Sequence, residues 1–175
     1  MEVKIIGDIK TGHVRTMSAK KLVDKYRAQL TWAQCQHLFR LKECNIFLSR
    51  YNLAFGIKKK GVWFYDSVTI PQGAVLDGSS VPALVRAIIN DDYHNGAWEV
   101  HDAGYISEGQ EVNFNGWEIP KLSRKEWDLV FREVVKRNGA PRLQRALAFR
   151  GLRLGGWVPW NKKPNPHRFL KLDLS

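Results

Sequence analysis

The chain has 175 residues, 44% of them hydrophobic and seven of them Trp, which is enough for one domain with a real core and excludes a disordered polymer. Its net charge of +11 is unevenly placed: residues 1–60 carry 13 basic against 4 acidic side chains, 61–120 carry one against nine, and 121–175 carry 14 against 4. No apolar run approaches the ~20 residues that span a bilayer, and the first residues lack the regions of a signal peptide. Two cysteines, Cys35 and Cys44, form neither a disulfide framework nor a zinc cage, so folding in a reducing compartment is expected. The basic flanks suit an anionic surface such as DNA or lipid, or a neighbouring protein, and the acidic middle suits a hard cation.

In chain order, Val3 to Ile6 reads as a short strand. Ser18 caps an expected helix to about Leu30, and Thr31 with Gln34 forms a capping-box pattern for a second. Residues 1–45 are therefore expected to form a helical N-terminal extension, 46–160 the main domain and 161–175 a basic tail.

From Asn45 the pattern turns to β. Ile46–Leu48, Leu53–Ile57, Val62–Tyr65 and Ser67–Ile70 are aromatic and β-branched runs, with a hairpin turn in Lys58–Gly61. Gln72–Pro82 reads as a loop, where Asp77 either caps the turn through 83–90 or ligates a metal. Asn95 is the expected N-cap of a helix over Trp98–Tyr105, residues 107–122 form a long loop, and Ser123 with Glu126 opens a helix to about Arg137. Pro141 starts a last helix, with Leu143, Leu147 and Leu154 inside and Arg142, Arg145, Arg150 and Arg153 outside. The fold expected is α+β: a small antiparallel β portion and a helical core on two antiparallel helices.

Those two helices carry the chemistry-bearing residues. His101 and Tyr105 are four apart and share a face, while Asp102 sits about 100° round from His101. Asp128 shares a stripe with Phe131 and Val135. An antiparallel pair brings a carboxylate to the imidazole, either as a hydrolytic or metal-site arrangement or as a core histidine satisfied by one hydrogen bond.

Thr69-Ile70-Pro71-x-Gly73, Asp77-x-x-Ser80-Val81-Pro82, His101-Asp102-x-x-Tyr105 and Ser123-Arg124-x-x-x-Asp128-x-x-Phe131 occur in one order. Together they resemble a phage- and prophage-enriched family of unassigned function, DUF1353-like, over roughly residues 46–160. Ala74 and Leu76 depart from the family's usual aromatic and Thr. The same elements resemble the core of the small bacterial and fungal phospholipases A2. That resemblance implies His101 as general base for a water, Asp128 as its orienting carboxylate, Tyr105 as a brace, and Asp77 with Asp102 as calcium ligands. It differs from the secreted enzymes in having no matching disulfides. The resemblance implies a phage or prophage ester hydrolase. The alternative is a non-enzymatic virion or assembly protein whose basic termini contact other virion proteins or DNA. The expected location is the virion or the host cytoplasm.

Overall fold

A computed structural model of the chain describes residues 1–10, 14–76, 83–88, 96–155, 160 and 168–174. Strands β1 (Glu2–Lys10) and β2 (Val14–Ser18) open the chain. They lead into α1 (Ala19–Tyr26), a 3-10 turn (Arg27–Gln29) and α2 (Trp32–Leu38). Next come β3 (Glu43–Phe47), β4 (Tyr51–Lys59), β5 (Val62–Ile70) and β6 (Ala74–Leu76). The rest comprises α3 (Ala83–Ile88), α4 (Ala97–Ile106), β7 (Val112–Phe114), β8 (Trp117–Ile119), α5 (Arg124–Arg137), α6 (Arg142–Gly155) and β9 (Leu170–Lys171). The architecture is α+β, with two antiparallel sheets ordered β1-β4-β5-β8-β7 and β2-β3-β6-β9.

Local chemistry explains most boundaries. Both expected capping boxes form, Thr31 with Gln34 and Ser123 with Glu126, satisfying amides that a helix start leaves without partners. Ser18 accepts from the Lys21 amide and starts α1. Lys60 and Gly61 take φ of 49° and 86°, the left-handed pair that lets a two-residue turn follow the strand twist. The two runs Val62–Tyr65 and Ser67–Ile70 are one strand, β5, because β4 pairs with it without interruption from Lys59↔Val62 to Tyr51↔Ile70.

Three expectations are corrected. The first 45 residues are not a helical appendage: β1 pairs with β4, and β2 pairs with β3, so the N-terminal segment supplies a strand to each sheet. The stretch 107–122 is not simply a loop, since Asn115 and Gly116, at φ of 52° and 82°, close a hairpin of β7 and β8. Asn-Gly between short alternating runs is the signal for that turn. Helix α4 is capped by Gly96, at φ 75°, and not by Asn95. The Tyr51 hydroxyl donates to the Gly96 carbonyl at 3.4 Å, which ties the helix start to β4.

The larger core lies between the five-stranded sheet and the helices, with Phe55, Trp117, Trp127 and Phe131 among its fully buried members. A smaller core joins α1 and α2 to the second sheet through Leu22, Cys35, Leu38, Cys44 and Ile46. Phe55 meets Trp127 edge-on at 6.2 Å, so α5 covers the Phe55 face of β4.

Candidate functional site

Helices α4 and α5 meet in a ladder of contacts. A Cβ on Gly104 would lie 2.2 Å from the Trp127 ring, His101 faces Asp128, and the Trp98 ring is 5.2 Å from that of Phe131. Residue numbers fall along α4 as they rise along α5, so the pair is antiparallel. The contact at Gly104 is possible only without a side chain, and it sets how closely the helices approach.

At the centre of this seam, His101 Nε2 is 3.2 Å from Asp128 Oδ1. The Tyr105 hydroxyl donates to the same oxygen at 2.7 Å, and Arg153 Nη1 donates to Asp128 Oδ2 at 2.9 Å. Both His101 and Asp128 have 0% exposure. The Tyr105 ring stacks obliquely on His101 at 4.0 Å, Phe131 meets the imidazole edge-on at 5.5 Å, and Trp160 meets Tyr105 at 5.1 Å. Among the described residues the imidazole thus meets an aromatic wall and the Asp128 carboxylate.

Burial pushes the His101 pKa down, further than the Asp128 carboxylate pulls it up, and the Arg124 charge adds to the lowering. For Asp128, burial acts to raise the carboxyl, but the bonds from His101, Tyr105 and Arg153 outweigh it and hold the group below its ordinary value. The stable state is thus a neutral histidine against an ionised carboxylate whose counter-charge is Arg153. Burial, then Asp128, raises the Tyr105 phenol, which stays a donor. An ionised Asp128 accepts, so Nε2 carries the proton and the acceptor lone pair of the ring is on Nδ1.

The structure brings together His101, Asp128 and Tyr105 from the expected set. Asp102 is buried, 2% exposed, at the next position of α4. Asp77 lies outside the described residues. Among the described residues no group of three or more His, Cys, Asp or Glu side chains is placed to hold a metal. Calcium takes six to eight oxygens, and of the expected carboxylates only Asp102 falls among those described, so the described donors do not by themselves make a calcium site.

Arg153 is the residue that sequence reasoning missed. The leucines expected inside α6 are exposed, Leu143 at 70%, Leu147 at 40% and Leu154 at 78%, while Ala148 and Leu152 are buried. The helix is turned so that Arg153 faces α5, because a buried carboxylate needs a cation more than three leucines need cover. Arg124 adds a bond to the Arg153 carbonyl at 3.3 Å, fastening the end of α6 to the start of α5. A basic residue on a helix that follows a buried Asp was the one available signal.

Fold and site together define an α+β protein with a buried His–Asp pair between two antiparallel helices, neutralised by an arginine from a third. The family model described as protein of unknown function (DUF1353) matches residues 55–152, more than half of the chain, and the chain belongs to that family. The matched span holds His101, Tyr105 and Asp128 and ends one residue before Arg153. No curated protein and no solved structure matches the chain.

Proposed function

We propose that this is a phage or prophage protein whose His101–Asp128 centre hydrolyses ester bonds in the manner of the phospholipases A2. The observation that supports this reading is the orientation of the imidazole: Nε2 is held on Asp128 Oδ1, and Tyr105 and Arg153 fix that carboxylate from both oxygens. A histidine held this way keeps one tautomer. Its Nδ1 is then the atom that takes a proton from water as the water attacks an ester carbonyl, and Asp128 stabilises the imidazolium that results. The lowered His101 pKa keeps the base neutral at ordinary pH. Calcium enters this reading as an expected activator.

The test is release of fatty acid from mixed phospholipids, with calcium and with chelator, by the wild type and by His101→Asn after matched melting curves. General-base catalysis contributes about 10²–10⁴-fold, so the variant should lose most activity. A wild type that releases nothing in either condition, or a variant as active as the wild type, removes the hydrolase reading. The chelator arm tests calcium separately.

Complete burial of His101 and Asp128 favours a second reading. In it the four-residue network is a structural bond, and the protein is a virion or assembly component whose basic segments meet neighbouring subunits or DNA. That reading expects His101→Asn to cost stability while assembly of the folded variant persists.

A further inference from the structure

The face of the five-stranded sheet turned away from α5 carries a second arrangement, independent of the His101 centre. Strand alternation puts Phe55 towards the helix and Gly56 and Lys58 on the opposite face. Gly56 pairs with Lys4 on one side and Tyr65 on the other, and Lys58 pairs with Trp63. The Trp63 and Tyr65 rings stand nearly parallel, 17° apart in plane with centroids 6.5 Å apart. Lys4 Nζ sits 4.3 Å from the Trp63 centroid and 4.9 Å from that of Tyr65, and it donates to the Tyr65 hydroxyl at 3.2 Å. A Cβ at Gly56 would come within 3.1–3.2 Å of Tyr65, Lys4 and Trp63, so the glycine leaves the floor on which the three groups converge.

Tyr65 is 61% exposed, Lys4 is exposed beside it, and Lys60 is exposed at the turn that joins β4 to β5. Lys58 pairs with Glu2 at 3.5 Å and its Nζ lies 5.8 Å from the Trp63 centroid; the partly solvated ion pair is worth little against a competing anion. Lys59 is different: it is engaged with Glu126 at the start of α5.

We propose that this face binds single-stranded nucleic acid, with bases on Trp63 and Tyr65 and phosphates on Lys4, Lys58 and Lys60. Rings interleaved with lysines on an open sheet are what such a strand requires: stacking surfaces that tolerate any base, and cations for the backbone. The ring separation is close to twice the ~3.4 Å rise between stacked bases, so one base fits between the rings once Lys4 swings out to a phosphate. A lipid surface fits less well. Its phosphates could meet the lysines, but seating acyl chains on the rings would strip water from the Lys4 ammonium that lies over them, whereas a planar base stacks on a ring with its own backbone phosphate in reach.

The experiment uses the full chain and a short fluorescent oligothymidylate, read by anisotropy, with the same-length duplex and equimolar phosphatidylglycerol–phosphatidylcholine vesicles as comparison arms. Trp63→Ala and Tyr65→Ala should each weaken binding about tenfold, and Trp63→Phe should retain it. Lys4→Glu gives a second, exposed variant should an aromatic replacement fail to fold. Log affinity should fall with log salt at a slope of about 2, the value for three neutralised phosphates on a single strand. Arg142→Glu with Arg150→Glu, both on exposed α6, should leave most of the affinity. Absence of oligonucleotide binding at low salt overturns the proposal. So does binding that ignores Trp63, Tyr65 and Lys4, or vesicle binding that depends on them while the oligonucleotide stays free.

Discussion

Both carboxylate oxygens of Asp128 are engaged, one by His101 and Tyr105 and the other by Arg153. Removing one partner leaves a buried charge uncompensated, which is the costly direction. Arg153→Gln should therefore destabilise the protein by about 2–3 kcal/mol, below the usual ~3–5 because Arg153 is one-third exposed. Arg150→Gln, on the exposed side of the same helix, should change stability by less than about 0.5 kcal/mol in the same urea titration. The two lowered pKa values act in one direction with pH. A folded pKa below the unfolded one means that the unfolded chain binds the extra proton. The His101 contribution is complete above about pH 6.5 and is lost as pH falls through its lower folded value, and that of Asp128 follows below about pH 4. Melting temperature should decline from pH 7 towards pH 4, and a folded His101→Gln protein should show a shallower decline between pH 6.5 and 4. An unchanged slope would mean that His101 is not held neutral by its surroundings.

At the scale of elements, two kinds of signal behaved differently. Capping boxes are local, and Thr31–Gln34 and Ser123–Glu126 form as read. The rotation of α6 is not local. Its leucines at 143, 147 and 154 make a coherent stripe, yet that stripe faces solvent and Leu152 faces the core. A cavity at a fully buried leucine costs about 2–5 kcal/mol, whereas an exposed leucine costs little. Leu152→Ala should thus lower stability by that amount and Leu154→Ala by less than about 0.5 kcal/mol in denaturant melts; the reverse order would show that the helix faces the other way. Between α4 and α5, Gly104→Ala forces a methyl into the buried Trp127 ring and should cost at least ~1–3 kcal/mol, with the His101–Asp128 distance disturbed in proportion.

Across the whole molecule, the N-terminal segment is structural. β1 lies at the edge of the five-stranded sheet, and β2 and β3 carry the second sheet to which β6 and β9 attach. Each core therefore takes residues from both sides of the matched span, Val3 and Phe169 in the larger and Met17 and Leu172 in the smaller. A fragment of residues 46–175 should fail to show a cooperative melt by circular dichroism, while the full chain should unfold in one transition. A stable fragment would mark 1–45 as an accessory unit. Among the described residues no helix is long and apolar enough to cross a membrane.

Features that depend on neighbours along the chain are legible in the residues alone: the capping boxes that start helices, the Lys60-Gly61 turn, the β runs ahead of the paired helices, and the shared face of His101 and Tyr105 towards Asp128. The Asn115-Gly116 signal is equally local, but its flanking runs of three residues are too short to tell a hairpin from a loop. The pairing of β1 with β4, the phase of α6 and the role of Arg153 as counter-ion are set by contacts between distant parts of the chain. Strand pairing joins residues some fifty positions apart, and α6 is amphipathic enough to be read two ways. In that second case the deciding energy is the cost of an unpaired buried charge, which exists only once Asp128 is inside the fold.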